Sequence, residues 1–569
     1  MLNIQQQIDS LCSQHDVLAV VNLDYWSNET YEKSQQQLIN TCKRLYQKEY
    51  ETHQRIIFSY TRDYYVTDQL TGIILKNLQV ALNEQDISNF FIIVLSTNPD
   101  LANELTTIVQ MSSDPVAVSG IVCDGNFDKQ ILPYHPHSNK ETYQYGSANP
   151  LKIGLNELSD REKYLLTESK TFCMYPWIHL HAWPTGQAFP CCHAETGVGQ
   201  VGSCRTHTMK QIWNSNQQRK LRTDMLSETP NAACGRCYEQ EKSGFFSGRQ
   251  SANKHHGHHI DRVDATHTDG HLDQFELTYW DVRFSNLCNL KCRSCGHIFS
   301  SQWYQDQAKL DLDPSWKEKN SVLTYAGRTE TDMWEQLEPH LDYVEQIYFA
   351  GGEPLLMEEH YHILDELVKR KKFDVRLTYN TNFTHTDLKG KSVFEYWKQF
   401  KSVAVGASLD DSDARGEYIR KGTDWAVVEQ NRRDMLAICP NVDFYISPTL
   451  SIMNAMHLTD FHRDWVEKGL LKPQDLNVNI LQDPPVYRID IATPEYKQLI
   501  KQKFEAHLEW LRPLDPLRRA TVGFESAINY MMGKDNSALI PAFWTKTEKL
   551  DNVRQENILD IIPELKALK

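Results

Sequence analysis

The chain has 569 residues, 40% hydrophobic and 24% charged, with a formal net charge of −15. This is ordinary globular composition, so a largely disordered chain is excluded, and the length predicts roughly two to four domains. The acidic balance argues against broad binding to nucleic acid or an anionic membrane, which calls for concentrated Lys and Arg.

Short apolar runs at 17–23 (VLAVVNL), 55–59 (RIIFS), 90–95 (FFIIVL) and 116–123 (VAVSGIVC) read as buried strands. Helix-like stretches near 30–48, 68–84 and 99–112 lie between them. The alternation predicts a small, Rossmann-like α/β domain over 1–132 with a largely parallel sheet. It carries no Gly-rich phosphate loop, so no nucleotide site is inferred there. A polar stretch with Pro, Ser and Asn reads as a linker over 133–160. A Cys-, Gly- and Trp-rich module follows at 161–248.

Residues 249–273 read as a second linker, containing His255, His256, His258 and His259. Histidine runs can bind metal. Without a rigid frame nearby, these are expected to be solvated. From 274 to 490 the α/β alternation resumes, with strands expected at 278–284, 344–350, 373–379, 402–408, 442–450 and 475–481. Helices are expected near 357–371, 424–438 and 493–511, and 491–569 reads as a helical cap or interface. Repeating βα units point to a parallel sheet with its ligands at the strands' C-terminal ends. No apolar run approaches the ~18 residues that span a bilayer. No basic-then-apolar export signal is visible, so the cytoplasm is the expected location.

Thirteen cysteines is an odd count, and without an export signal metal binding is a better use for them than disulfides. Cys12, Cys42, Cys123 and Cys439 are isolated and are expected to be small buried hydrophobes. The other nine fall at 173–237 and 288–295. Immediately after the strand LTYWDVRF, Cys288, Cys292 and Cys295 form C-x3-C-x2-C. Three thiolates can hold three irons of a 4Fe–4S cube and leave the fourth open, as in a catalytic metal site. A zinc knuckle is the plainer alternative.

This loop resembles the signature of the radical S-adenosylmethionine superfamily, with Ser294 where an aromatic is usual. Gly351-Gly352-Glu353-Pro354 resembles the family's GGEP motif, whose role is to bind the amine of S-adenosylmethionine. Glycines permit close backbone approach, and a carboxylate accepts from an ammonium group. Thr378 to Asn382 is similar to the Thr-Asn-Gly segment, with Phe383 in the glycine position. Val405 to Asp410 resembles the segment whose serine, here Ser408, contacts the cofactor's methionine or ribose. Tyr418 to Gly422 resembles the Ile-Arg-Gly segment, implying that Arg420 pairs with the methionine carboxylate through a bidentate guanidinium. The resemblance covers about 276–485 and implies a partial (β/α)6-type parallel barrel.

Upstream, Cys173, Gly186, Cys191, Cys234 and Cys237 form C-x12-G-x4-C followed by a distant C-x2-C. The pattern resembles the twitch and SPASM auxiliary-cluster modules. Four thiolates suit a second iron–sulfur cluster or a structural zinc. Cys192 is an alternative to Cys191, Cys204 and His207 are spare candidates, and His179 and His181 are expected to pack. In that family the module usually follows the radical domain. Here it comes first, so the 249–273 linker is expected to let it dock.

The resemblance implies reductive cleavage of S-adenosylmethionine to a 5′-deoxyadenosyl radical that takes a hydrogen atom from substrate. The auxiliary cluster would accept an electron, making the reaction an oxidation, and a reduced flavodoxin- or ferredoxin-type protein would supply the first electron. A small molecule or a peptide is the expected substrate, with no nucleic acid and no membrane as partner. No residue is singled out as a catalytic acid or base. A zinc-stabilised, non-catalytic binding protein is the reading from a different class.

Overall fold

The computed structural model describes residues 158–242, 247–311, 313–516 and 518–569, and before them the backbone of four strands. The chain divides into two units, 1–153 and 154–569. In the first, β1 (Val17–Asn22), β2 (Gln54–Tyr60), β3 (Phe90–Ser96) and β4 (Val118–Val122) pair in parallel in sequence order. Parallel neighbours need crossovers of a dozen or more residues, and the intervals between these strands are long enough to provide them. The helices expected at 30–48, 68–84 and 99–112, the linker expected at 133–160 up to residue 157, and Cys12, Cys42 and Cys123 lie outside the described residues.

The second unit is built on one eight-stranded sheet. In chain order its strands are β5 (His179–Ala182), β6 (Gln187–Phe189), β7 (Gly202–Ser203), β8 (Tyr279–Val282), β9 (Gln346–Phe349) and β10 (Arg376–Thr381). A small hairpin of β11 (Asp387–Leu388) and β12 (Lys391–Ser392) intervenes before β13 (Val403–Ala407) and β14 (Asp443–Ile446). The spatial order is β14-β13-β10-β9-β8-β5-β6-β7. From β8 to β14 every pair is parallel and in sequence order.

The run expected at 442–450 is broken after β14, because Pro448 has no N–H to donate to a ladder. It resumes as β15 (Thr449–Leu450), which pairs in parallel with β16 (Asn479–Ile480). A bridge from Ile446 to Leu476 carries this pairing on from β14, so the strand expected at 475–481 is present only in pieces.

Six helices matter below: α1 (Gly235–Lys242), α2 (Gly248–His256), α3 (Glu358–Lys369), α4 (Trp425–Ile438), α5 (Pro494–Leu511) and α6 (Ile540–Arg554). α3 buries Ile363, Leu364 and Leu367, an i, i+1, i+4 stripe that faces the core. α4 starts where the Asp424 carboxylate accepts from the N–H groups of Ala426 and Val427. No helix among the described residues is long and apolar enough to cross a membrane.

Two expectations change. Residues 249–273 are not a solvated linker: α2 and the 3-10 turns of Gly257–Val263 occupy their first half, with Ala252, His256, Ile260 and Val263 buried. Nor does the cysteine module hang on a tether. β5 pairs in parallel with β8, His179 opposite Tyr279 and His181 opposite Asp281. A parallel pair requires a crossover, and residues 183–278 are that crossover. The module joins the first strand of the βα series from its open edge.

Candidate active site and cluster-binding cysteines

At the C-terminal ends of β8, β9, β10 and β13 the chain leaves a cavity of about 560 Å³. It is lined by Cys288, Cys292, Cys295, Gly351, Gly352, Glu353, Asn382, Ser408 and Arg420. The three cysteines and the six residues expected to touch the cofactor therefore reach one hollow. Arg283, Tyr348 and Asn380 form the part of its wall nearest the sheet. Cavities of this size enclose about one drug-sized ligand.

The cysteine loop is held from two sides. Glu353 N–H donates to Leu287 O at 2.7 Å, and a Cβ on Gly352 would sit 2.1 Å from that same oxygen. Glycine stands at 352 because the loop's backbone passes directly against it. Across the loop, Lys291 N–H donates to Lys421 O and Arg293 N–H to Ile419 O, each at 2.9 Å. Trp303 Nε1 donates to Cys292 O at 2.9 Å, and Arg554 of α6 donates to Lys291 O at 2.7 Å.

Glu353 is 1% exposed, and its carboxylate accepts from Thr381 Oγ1 and Asn382 N–H at 2.7 Å each and from Leu355 N–H at 3.1 Å. Burial pushes its carboxyl up to about 7, against those three donors. Asn382 donates to Asn289 at 2.8 Å, tying the end of β10 to the cysteine loop. Arg420 pairs with Asp410 at 2.8 Å, and its Nη1 lies 3.7 Å from Cys292 Sγ. Burial works against the Arg420 charge, but Asp410 together with Cys292 and Cys295 more than offsets it. Its Nε is buried without a hydrogen-bond partner.

Phe383, in the position where the resembled segment has glycine, has φ +60° and is fully buried. A left-handed backbone costs a non-glycine residue about 1–2 kcal/mol. It is held there by bonds on both sides: its N–H donates to Thr381 Oγ1, and Asn431 donates to its carbonyl. Its ring packs 5.2 Å from Phe444. Removing the ring should cost about 3–5 kcal/mol, more than the strain relieved. We predict that Phe383→Gly is less stable by roughly 2 kcal/mol in denaturant titration; equal or greater stability would contradict this account.

The second group of thiols gathers on the module. Cys173 precedes the turn into β5, Cys191 follows β6, and Cys234 and Cys237 flank the start of α1. Gly186, at φ +85°, closes the β5–β6 hairpin through a bond from its N–H to Trp183 O, which returns the chain toward Cys173. Burial raises the Cys191 thiol well above its ordinary value, and the nearby Cys192, Cys173, Cys234 and Cys237 add to the effect. Cys192 is pushed up to about 12 by burial and then by Asp281 of β8. Cys204 is raised by burial and Asp332, apart from the four, and His207 bonds to Thr206 at the surface.

Sequence reasoning missed Arg249. It donates to Ser169 O and Phe172 O, pairs with Glu241, and lowers the thiols of Cys173, Cys234 and Cys237 against burial. It lay in what read as a linker, and a single Arg in a polar run carries no signal. His179 and His181 do pack, both fully buried. His181 Nδ1 lies 3.0 Å from Asp281 Oδ2, in the wall between the two cysteine groups.

Both thiol groups have the donor chemistry of a metal cluster, since each gathers buried cysteines that raise one another's thiols. Burial and mutual repulsion raise Cys288 and Cys295 as well as Cys173, Cys191 and Cys234, so as bare thiols they would stay protonated. A cationic cluster is what makes clustered, buried thiolates stable. Over the three-cysteine loop, the cavity and the unpaired Arg420 Nε leave room and a donor for a further polar ligand.

The family model for SPASM, an iron–sulfur cluster-binding domain, matches residues 173–238, which contain all four auxiliary cysteines. No curated protein matches the sequence. Among solved structures, native anSMEcpe with bound AdoMet is similar at 20% identity and a TM-score of 0.30, over 41% of this chain and 61% of that one. Native anSMEcpe with bound AdoMet and Cp18Cys peptide is similar at 19% identity and a TM-score of 0.27, over 41% and 60%. The match thus spans about three-fifths of the length of those chains. Residues 173–238 match the SPASM iron–sulfur cluster-binding domain, and one sheet joins that segment to the strand from which the three-cysteine loop leaves.

Proposed function

We propose that this chain is a radical S-adenosylmethionine enzyme that oxidises a peptide side chain. The observation that carries the reading is the convergence of three cysteines and six motif residues, drawn from four strand ends, on one cavity. A 4Fe–4S cluster on Cys288, Cys292 and Cys295 would supply the electron that cleaves the sulfonium of S-adenosylmethionine to methionine and a 5′-deoxyadenosyl radical. The chain's own residues bind and aim. Arg420, already fixed by Asp410, offers its Nε to the methionine carboxylate. Glu353, with acceptor capacity left beyond its three donors, takes the amine. Ser408 and Asn382 hold the nucleoside side of the pocket. Burial of these groups excludes water and strengthens each contact.

Support for a peptide comes from the shape of the opening. The cofactor would fill a cavity of this size, so substrate must approach from the side. A second cavity of about 470 Å³ shares His297 and Ile298 with the first and continues past Arg205, Leu323 and Tyr325. An extended chain suits such a groove better than a compact sugar or alcohol. Cys173, Cys191, Cys234 and Cys237 would hold the auxiliary cluster, with all four vertices occupied by protein and hence suited to electron transfer.

The test is anaerobic reconstitution, reduction and incubation with S-adenosylmethionine. We expect about eight irons per chain, a brown protein and formation of 5′-deoxyadenosine. One equivalent should accompany each two-electron oxidised product. A colourless, zinc-loaded protein, or an iron-replete reduced protein that releases no 5′-deoxyadenosine, would sink the proposal.

The two adjacent cysteines provide a sharper check on the auxiliary site. Cys191→Ser should lose about half of the bound iron, whereas Cys192→Ser should keep it, because Cys173, Cys234 and Cys237 act on the first thiol while Asp281 and Arg283 act on the second. The reverse result in iron analysis would assign the ligand to Cys192.

A further inference from the structure

Away from both cysteine groups, His258, His259 and Glu345 bring one ligand atom each to within 4.8 Å of one another. His258 Nε2 lies 2.8 Å from Glu345 Oε2, and His259 Nε2 lies 2.9 Å from Oε1. Adjacent residues on a regular helix point about 100° apart. Here the 3-10 segment breaks at His259, with φ −97° and ψ 16°, and both rings swing toward one carboxylate, their centroids 4.1 Å apart. His259 Nε2 is buried and makes no hydrogen bond of ordinary geometry despite its closeness to the carboxylate. The local backbone is thus bent to gather three donor atoms, one of which is left unsatisfied.

The carboxylate is rigidly held. Glu345 N–H donates to Thr278 O at 2.9 Å, and its carbonyl accepts from Arg376 N–H at 2.8 Å, which locks it between the N-terminal ends of β8 and β10. Nearby cations are engaged elsewhere: Arg262 with Glu276 at 3.1 Å, and Lys372 with Asp342 O at 2.6 Å. Glu345 stands six residues before Gly351, roughly 20 Å along an extended strand, so this site lies at the opposite end of the sheet from the cavity.

We propose that His258, His259 and Glu345 form a divalent-cation site, of zinc type, that fastens the segment following the SPASM domain to the start of β9. Two imidazoles and a carboxylate are borderline donors that suit Zn²⁺. The side chains keep 24%, 14% and 35% of their exposure, which leaves access for a water as fourth ligand. Its position away from the cavity makes it a structural site, outside the reaction.

The iron-loaded full-length protein, dialysed against Zn²⁺, should retain about one zinc per chain, with only nitrogen and oxygen neighbours at about 2.0–2.1 Å in X-ray absorption. His258→Asn/His259→Asn should lose that zinc with its iron content unchanged, and Zn²⁺ should raise the melting temperature of the wild type but not of this variant. A sulfur shell at about 2.3 Å, no retained zinc, or equal zinc in wild type and variant would overturn the assignment. Should the double variant fail to fold, the absorption spectrum of the wild type decides alone.

Discussion

Gly352→Ala should leave the protein folded and strip it of the iron proposed for the three-cysteine loop. The added methyl would lie 2.1 Å from Leu287 O and 2.7 Å from Leu287 C, and both are backbone atoms of the cysteine loop with no rotamer to yield. The loop must therefore move by about an ångström, and it cannot do so freely. Glu353 N–H is bonded to that same Leu287 O, and the far side of the loop is pinned to Ile419 and Lys421. Displacements of about 1 Å cost around a hundredfold in rate. We expect 5′-deoxyadenosine formation to fall by at least ~100-fold, and bound iron to fall by about half as the auxiliary site stays loaded. Gly296→Ala is the matched control. It lies one residue past Cys295, but its Cβ would meet nothing within 4 Å, so its iron should be unchanged. Full iron and near-normal turnover in Gly352→Ala would show that the loop's position does not matter as argued.

What could be read from the residues was local. Apolar runs between turn residues marked β8, β9, β10 and β13 within a few residues, most plainly β13, which is buried at every position and apolar throughout. The motif residues sit on the few positions that follow each strand, so short patterns locate them. Phe383 was visible as a departure from a glycine, yet only the structure shows it holding a left-handed backbone. Contacts between distant segments were illegible. Nothing in the composition of 249–273 announces that Asn253 accepts from Met174 N–H, next to Cys173, at 3.0 Å, or that Glu345 waits for His258 and His259. The module's placement before the βα series suggested a tether because parallel pairing of β5 with β8 depends on partners 100 residues apart.

The same limit hid the role of the C-terminal segment, and Arg293→Met tests it. Arg293 lies between Cys292 and Cys295, and its side chain is 1% exposed. Its guanidinium stacks 3.6 Å over the Tyr418 ring and bonds to Asp551 in α6 and to Glu556, the latter at 2.7 Å. Methionine preserves length and the packing on Tyr418 but removes the charge. Two largely buried carboxylates then lose their main cation. Asp551 keeps donors from Tyr418 and Ile558, and Glu556 keeps Lys421, so the penalty should fall near the lower end of the 3–5 kcal/mol typical of a broken buried pair, about 3 kcal/mol. Because the loop carries two of the three cysteines of the proposed cluster beside this residue, the loss should appear first as faster release of iron to a chelator, before global unfolding. Arg293→Lys retains the charge without the planar fork and should recover only part of the loss. If Arg293→Met releases its iron no faster than the wild type, α6 covers the cysteine loop without holding it in place.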